Sequence, residues 1–143
     1  MSTRTNVSSG GKLEEPFGYS RAVRMGDHIH VAGTVATGTD GETVGADARE
    51  QAIRCFEIIG SALDAAGANL ANVVRTRVYV SSPEHAQAVG EVHGEIFGEV
   101  RPAMTMVVAR LLRDEWLVEI EAYAYAPETD APGDDDADAP TTH

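Results

Sequence analysis

Cys55, His28, His30, His93, Arg101, Glu119 and Glu121 are side chains whose types could do chemistry, as a thiol nucleophile, metal ligands, an anion-binding cation or proton-carrying carboxylates. Their spacing decides which can act together. Cys55 is the single cysteine, so it can form no internal disulfide and no thiolate cluster. No sequence neighbour would lower its pKa, and it reads as a small buried side chain beside a helical stripe. His28 and His30, two residues apart on an extended segment, share a face, yet no carboxylate or cysteine stands at metal spacing beside them. No metal site is expected. His93 falls on the inward side of a helical pattern and reads as a satisfied histidine at the core's edge. The stretch RPAMTMVVA, residues 101–109, sets Arg101, Met104 and Met106 at the mouth of an apolar run. Taken alone, the methionines are core filler. In LVEIEAYAYA the strand alternation puts Glu119, Glu121, Tyr123 and Tyr125 on one face, where Glu119 alone reads as a solvated carboxylate.

The elements that must position these groups are legible from periodicity. FGYSRAVRMG and HIHVAGTVA read as two strands around Gly26 and Asp27, a pair that tolerates the positive φ of a tight hairpin. Over residues 47–67, Ala52, Phe56, Ile59, Leu63 and Ala66 recur at steps of three and four, the stripe of an amphipathic helix, with Gly67 as its stop. NVVRTRVYVS alternates, with Val74, Thr76, Val78 and Val80 expected on one face and Arg75, Arg77 and Tyr79 on the other. A serine cap, Pro83 and Glu84 open a second helix whose inward stripe is Val89, His93, Ile96 and Phe97. MTMVVARLL and WLVEIEAYAYA are two further strands joined by Arg113, Asp114 and Glu115. The order predicts an α+β fold, a mixed sheet with two helices packed on one face. The other face carries tyrosines, arginines and valines that nothing in the chain covers, which predicts a closed homo-oligomer.

The 143 residues suit one domain. It is expected over residues 15–126, between a flexible arm at 1–14 and a disordered acidic tail at 127–143. That tail holds six acids and no Lys or Arg, so half of the formal net charge of −12 lies in it. One lysine, Lys12, beside ten arginines gives a halophilic-like composition. The charge balance excludes a phosphate-backbone partner, which needs a basic face. No leader and no membrane-length apolar run is read, so a cytoplasmic chain without a membrane partner is expected.

The segments GYS (18–20), HVAGTVA (30–36), VRTRVYVSS (74–82), FGEVRPA (97–103) and above all LVEIEAYA (117–124) resemble the RidA (YjgF/YER057c/UK114) family, over about residues 18–126. The resemblance implies a chorismate-mutase-like fold assembled as a homotrimer, with small-molecule clefts at subunit boundaries and no cofactor. It implies hydrolysis of reactive enamines and imines, of the 2-aminoacrylate type, to 2-oxo acids and ammonia. The family's tyrosine falls on Tyr19, its cleft glycine on Gly33, and its water-placing glutamate on Glu119. Met106 follows in the same strand as a further lining position. The arginine that grips the substrate carboxylate is replaced by Met104, and the fifteen-residue step from Met104 to Glu119 supports that register. A thioether cannot donate to a carboxylate. Arg101, three residues earlier, or Arg21, two after Tyr19, is the compensating cation this departure calls for. Ala32 and Thr34 around Gly33 also make the cleft more apolar than the family's. The sequence thus leaves two functions open, an enamine/imine deaminase-like hydrolase and a non-catalytic small-molecule-binding trimer, a sensor or partner protein. Endoribonuclease, a name relatives have carried, fits the acidity poorly.

Overall fold

A computed structural model describes residues 3–128 of the chain. Most of the expected acidic tail lies outside them. The elements are β1 (Arg4–Val7), α1 (Glu14–Phe17), β2 (Ala22–Met25), β3 (His28–Thr34), α2 (Ala48–Ala65), β4 (Val73–Val80), α3 (Ala86–Phe97), β5 (Ala103–Val108) and β6 (Val118–Tyr125). The strands form one six-stranded sheet in the order β1-β2-β3-β6-β4-β5. Only β4 and β5 pair in parallel; every other pair is antiparallel. The mixed sheet with helices on one face is the α+β fold expected.

Local chemistry accounts for the boundaries. Gly26 at φ 61° turns β2 into β3. Asp47 caps α2 by accepting from the Glu50 amide at 2.9 Å, and Glu50 reaches back to accept from the Ala46 amide at 2.8 Å. The α2 stripe of Ala52, Phe56, Ile59, Leu63 and Ala66 is buried as expected, against β3, β6 and α3. From β6 the core receives Val118, Ile120, Ala122 and Ala124, while Glu119, Glu121, Tyr123 and Tyr125 occupy the other face. His93 is buried in this core, its Nε2 2.8 Å from Thr76 Oγ1 and its ring between Phe56 and Phe97, which is the satisfied histidine expected.

Five details differ from expectation. Residues 4–7, assigned to a flexible arm, pair with β2 as an edge strand. Phe17, expected to begin a strand, ends the short helix α1, which Gly18 closes at φ 72°. Val74 is 46% exposed rather than facing the core, because the β4–β6 register shifts between Val73 and Arg75. Pro83 opens a 3₁₀ turn before α3, and Ser82 makes no side-chain cap. β5 stops at Val108, leaving Leu112 exposed in the connection to β6.

A buried amide that periodicity could not assign ties the helix layer to the loops. Gln51 donates to the carbonyls of Gly45 and Glu115, at 3.1 and 3.0 Å, and accepts from the Leu117 amide at 2.9 Å. With its polar atoms bonded, its burial carries no desolvation penalty of the kind an unpaired amide would. It holds the segment entering β6, and therefore Glu119, in place.

Candidate functional site

Glu119 leaves β6 on the face away from the helices and lies over β3. A Cβ built on Gly33 would sit 2.1 Å from Glu119 Oε2, so only glycine leaves room for the carboxylate. Arg21 reaches the same residue from the start of β2, donating from Nη2 to the Gly33 carbonyl at 2.6 Å. Its backbone is fixed by two ladder bonds, from its own amide to Val7 O and from the Ala32 amide to its carbonyl. Tyr19, Arg21 and Gly33 line a cavity of about 790 Å³. The structure thus brings Tyr19, Gly33 and Glu119 together with Arg21.

Glu119 is half-buried and, among the described residues, its carboxylate makes no hydrogen bond or ion pair. Its neighbour Glu121 is engaged, accepting from Tyr79 Oη at 2.7 Å and from Arg77 Nη1 at 3.3 Å. Burial first, then repulsion from Glu121, raises the Glu119 carboxyl above the ordinary carboxylate range, with attraction to Arg21 opposing. An uncommitted carboxyl of raised pKa is suited to accepting and returning a proton.

Met104, Met106 and Arg101 lie elsewhere in the chain. Met104 and Met106 are on β5, in register with Thr76 and Val78 of β4. Since Thr76 and Val78 face the helices, so do the methionines; Met104 is 40% exposed and Met106 packs against the core. Arg101 is exposed just before β5, its backbone left-handed at φ 50°. None of the three borders the cavity. Four strand spacings separate β2 from β5, about 19 Å at roughly 4.8 Å each.

The cavity also has walls that spacing did not reveal. Arg54 comes from α2, and Arg113 and Trp116 from the loop before β6. The indole donates to Thr43 Oγ1 at 3.1 Å and the Arg113 guanidinium lies 5.4 Å above its ring. The Trp116–Thr43 bond joins residues far apart in sequence, and no local pattern announces it. Among the described residues no group of three or more His, Cys, Asp or Glu is placed to hold a metal, and no helix is long and apolar enough to cross a membrane.

Cys55 lies beneath the site, fully buried, with Sγ 3.3 Å from the Thr34 carbonyl oxygen. Burial, reinforced by the nearby Glu119, pushes its pKa up to about 12. Because the thiolate is the reactive form, a disulfide reagent at pH 8 should leave the native protein unlabelled and react with the thiol only after urea unfolding. Rapid labelling of the folded protein would contradict this placement.

A family model described as endoribonuclease L-PSP matches residues 12–126. A RutC family protein of Pyrococcus abyssi is 39% identical over 116 residues, 80% of this chain and 91% of its own. The human 2-iminobutanoate/2-iminopropanoate deaminase is 29% identical over 107 residues, 74% of this chain and 78% of its own. A crystal structure of a Mycobacterium tuberculosis member of the YjgF/YER057c/UK114 family superposes with a TM-score of 0.80 at 46% identity, covering 87% of this chain and 100% of that one. A matched family model over residues 12–126, a relative at 39% identity and a superposing structure at 46% identity agree: the chain belongs to the RidA (YjgF/YER057c/UK114) family.

Proposed function

We propose that the protein is a hydrolase of small reactive enamines and imines, with Glu119 placing and deprotonating the attacking water. The observation that carries this reading is the uncommitted, half-buried Glu119 carboxyl held against Gly33 beside the cavity. Water oxygen bonds to the imine carbon as its proton passes to Glu119. That proton goes to the nitrogen to give a carbinolamine; Glu119 then moves the hydroxyl proton to the same nitrogen, the C–N bond breaks with its electron pair leaving on nitrogen as ammonia, and the carbonyl forms. The balance is R₂C=NH + H₂O → R₂C=O + NH₃. The deaminase name of the human relative supports the same reaction class.

The chain is proposed to act as a closed homotrimer. The sheet face bearing His28, His30, Tyr123 and Tyr125, whose rings stack or tilt together, has no helix over it among the described residues. Met104 and Arg101 are too far along the sheet to meet Tyr19 within one chain, so a cleft containing both needs a second copy. A mass in solution of three chains is expected.

The reading is tested by generating an imine with an amino-acid oxidase and following its decay with purified protein. Acceleration by the natural protein is expected, with a loss on the order of 10²-fold for Glu119→Gln, since that change removes the proton carrier. The acid limb of the rate should lie above the ordinary carboxylate range, because Glu119 must be ionised to take a proton and its pKa is raised. A natural protein that leaves the uncatalysed rate unchanged, while Met104→Arg accelerates hydrolysis, would overturn the reading.

Met104 in the arginine's place favours a second reading, a trimer that binds a small uncharged metabolite without turnover. A neutral compound at hundredfold excess over its Kd would then raise stability by about 2.7 kcal/mol while carboxylates leave it unchanged.

A further inference from the structure

We propose that Arg21 is the residue that holds the negative charge of the ligand, so that the cavity takes a small 2-oxo or 2-imino carboxylate through a cation on the β2 side of the sheet. The inference deepens the hydrolase reading and rests on it for the identity of the site.

Four of the eleven basic residues of a chain with net charge −12, Lys12, Arg21, Arg54 and Arg113, line this one cavity. Two of them are committed. Arg54 donates to the Thr37 carbonyl at 2.8 Å and pairs with Glu57 at 3.2 Å. Arg113 pairs with Glu115 at 3.4 Å and covers Trp116. Arg21 is half-buried and differs from both: among the described residues it has no carboxylate within ion-pair distance, and the one hydrogen bond of its side chain is Nη2 to Gly33 O. Its Nε is buried without an acceptor, and Nη1 makes no bond.

Arg24, three residues on, shows how this fold treats a cation whose role is structural. Its guanidinium is buried, but all three nitrogens donate to backbone carbonyls. An incompletely bonded guanidinium bordering a cavity is instead a group poised for an acceptor from outside the chain. Burial lowers the Arg21 pKa from its usual value, against attraction from Tyr19, Glu14 and Glu119, and the group remains charged.

The ligand's size and layout follow from Gly33. Arg21 bonds its carbonyl while Glu119 rests against its Cα, so cation and carboxyl flank one peptide unit. A molecule meeting both must carry its carboxylate next to its reacting carbon. Asp40 and Glu42 border the same cavity and disfavour a dianion.

Calorimetric titration with 2-oxobutanoate, and with uncharged 2-butanone as control, at fixed ionic strength tests this on the natural protein, Arg21→Gln and Arg21→Met. The second variant keeps the apolar stem in case the first does not fold, and melting curves check both. Binding of 2-oxobutanoate to the natural protein is expected, weakened at least tenfold in either variant, with 2-butanone unaffected. Where imine hydrolysis is seen, the substitution should raise KM and largely spare kcat. Affinity within twofold of the natural protein in a folded variant, or no binding of 2-oxobutanoate by the natural protein, would overturn the assignment. Arg21-dependent binding without turnover would keep this inference and reject the hydrolase; turnover with a KM indifferent to Arg21 would do the reverse.

Discussion

Arg24→Ala should destabilise the protein by about 3–5 kcal/mol, because three backbone carbonyls would lose their donor together. Arg24 is 8% exposed, and its guanidinium donates from Nε to Gly26 O at 2.8 Å, from Nη1 to Ala66 O at 2.8 Å and from Nη2 to Ala126 O at 2.5 Å. One side chain therefore joins the β2–β3 turn, the end of α2 and the residue that follows β6. The Ala66 carbonyl is also at the negative end of the α2 dipole, where a cation is favoured. Alanine would strand three carbonyls and remove the packed stem, and each buried acceptor without a donor costs about 1–3 kcal/mol. Lysine should recover little, because one ammonium cannot span three carbonyls fixed by different elements. Urea unfolding at neutral pH checks both variants. A loss below about 1 kcal/mol for Arg24→Ala would show that the three carbonyls find water instead.

Gly33→Ala is expected to abolish most of the imine hydrolysis, by 10²-fold or more in order of magnitude, while leaving the fold intact. The added methyl would lie 2.1 Å from Glu119 Oε2, a separation real Cβ atoms essentially never show, and a tight 3.2 Å from its Cδ. Gly33 has no positive φ, so alanine fits its backbone. The obstacle is the end of a flexible side chain, and the carboxyl would swing away from its position. If that displacement is the whole effect, Gly33→Ala combined with Glu119→Gln should be no slower than Glu119→Gln alone, a non-additivity that marks a shared cause. An additive double variant, or a Gly33→Ala enzyme at full rate, would count against the contact.

Periodicity revealed the parts of this fold that repeat locally. The α2 stripe and the β6 alternation are both patterns of one face toward a core, and both appear where expected. The departures come where a partner distant in sequence decides. The segment 4–7 has no periodicity of its own and becomes a strand because β2 presents an open edge at Ala22–Met25. Val74 obeys the alternation of β4 in sequence, yet a register shift against β6 turns it outward. For the site, Tyr19, Gly33 and Glu119 could be named because the family resemblance aligned them, while their close approach depends on β3 and β6 being neighbours. Arg54 and Trp116 gave no signal, since a cavity wall built from α2 and a loop has no spacing to read.

Strand order has a consequence for how the molecule comes into being. Among the described strands β6 comes last in sequence, yet it lies at the middle of the sheet between β3 and β4. Until it arrives, the nascent chain can form only two separate ribbons, β1-β2-β3 and β4-β5, each with an open flank and half a core. Completion requires β6 to slot between segments far upstream, so assembly is dominated by non-local closure and should be slow relative to helical domains of this length. A chain interrupted before Val118 would lose the seam itself, along with Glu119, and be left with two adhesive edges.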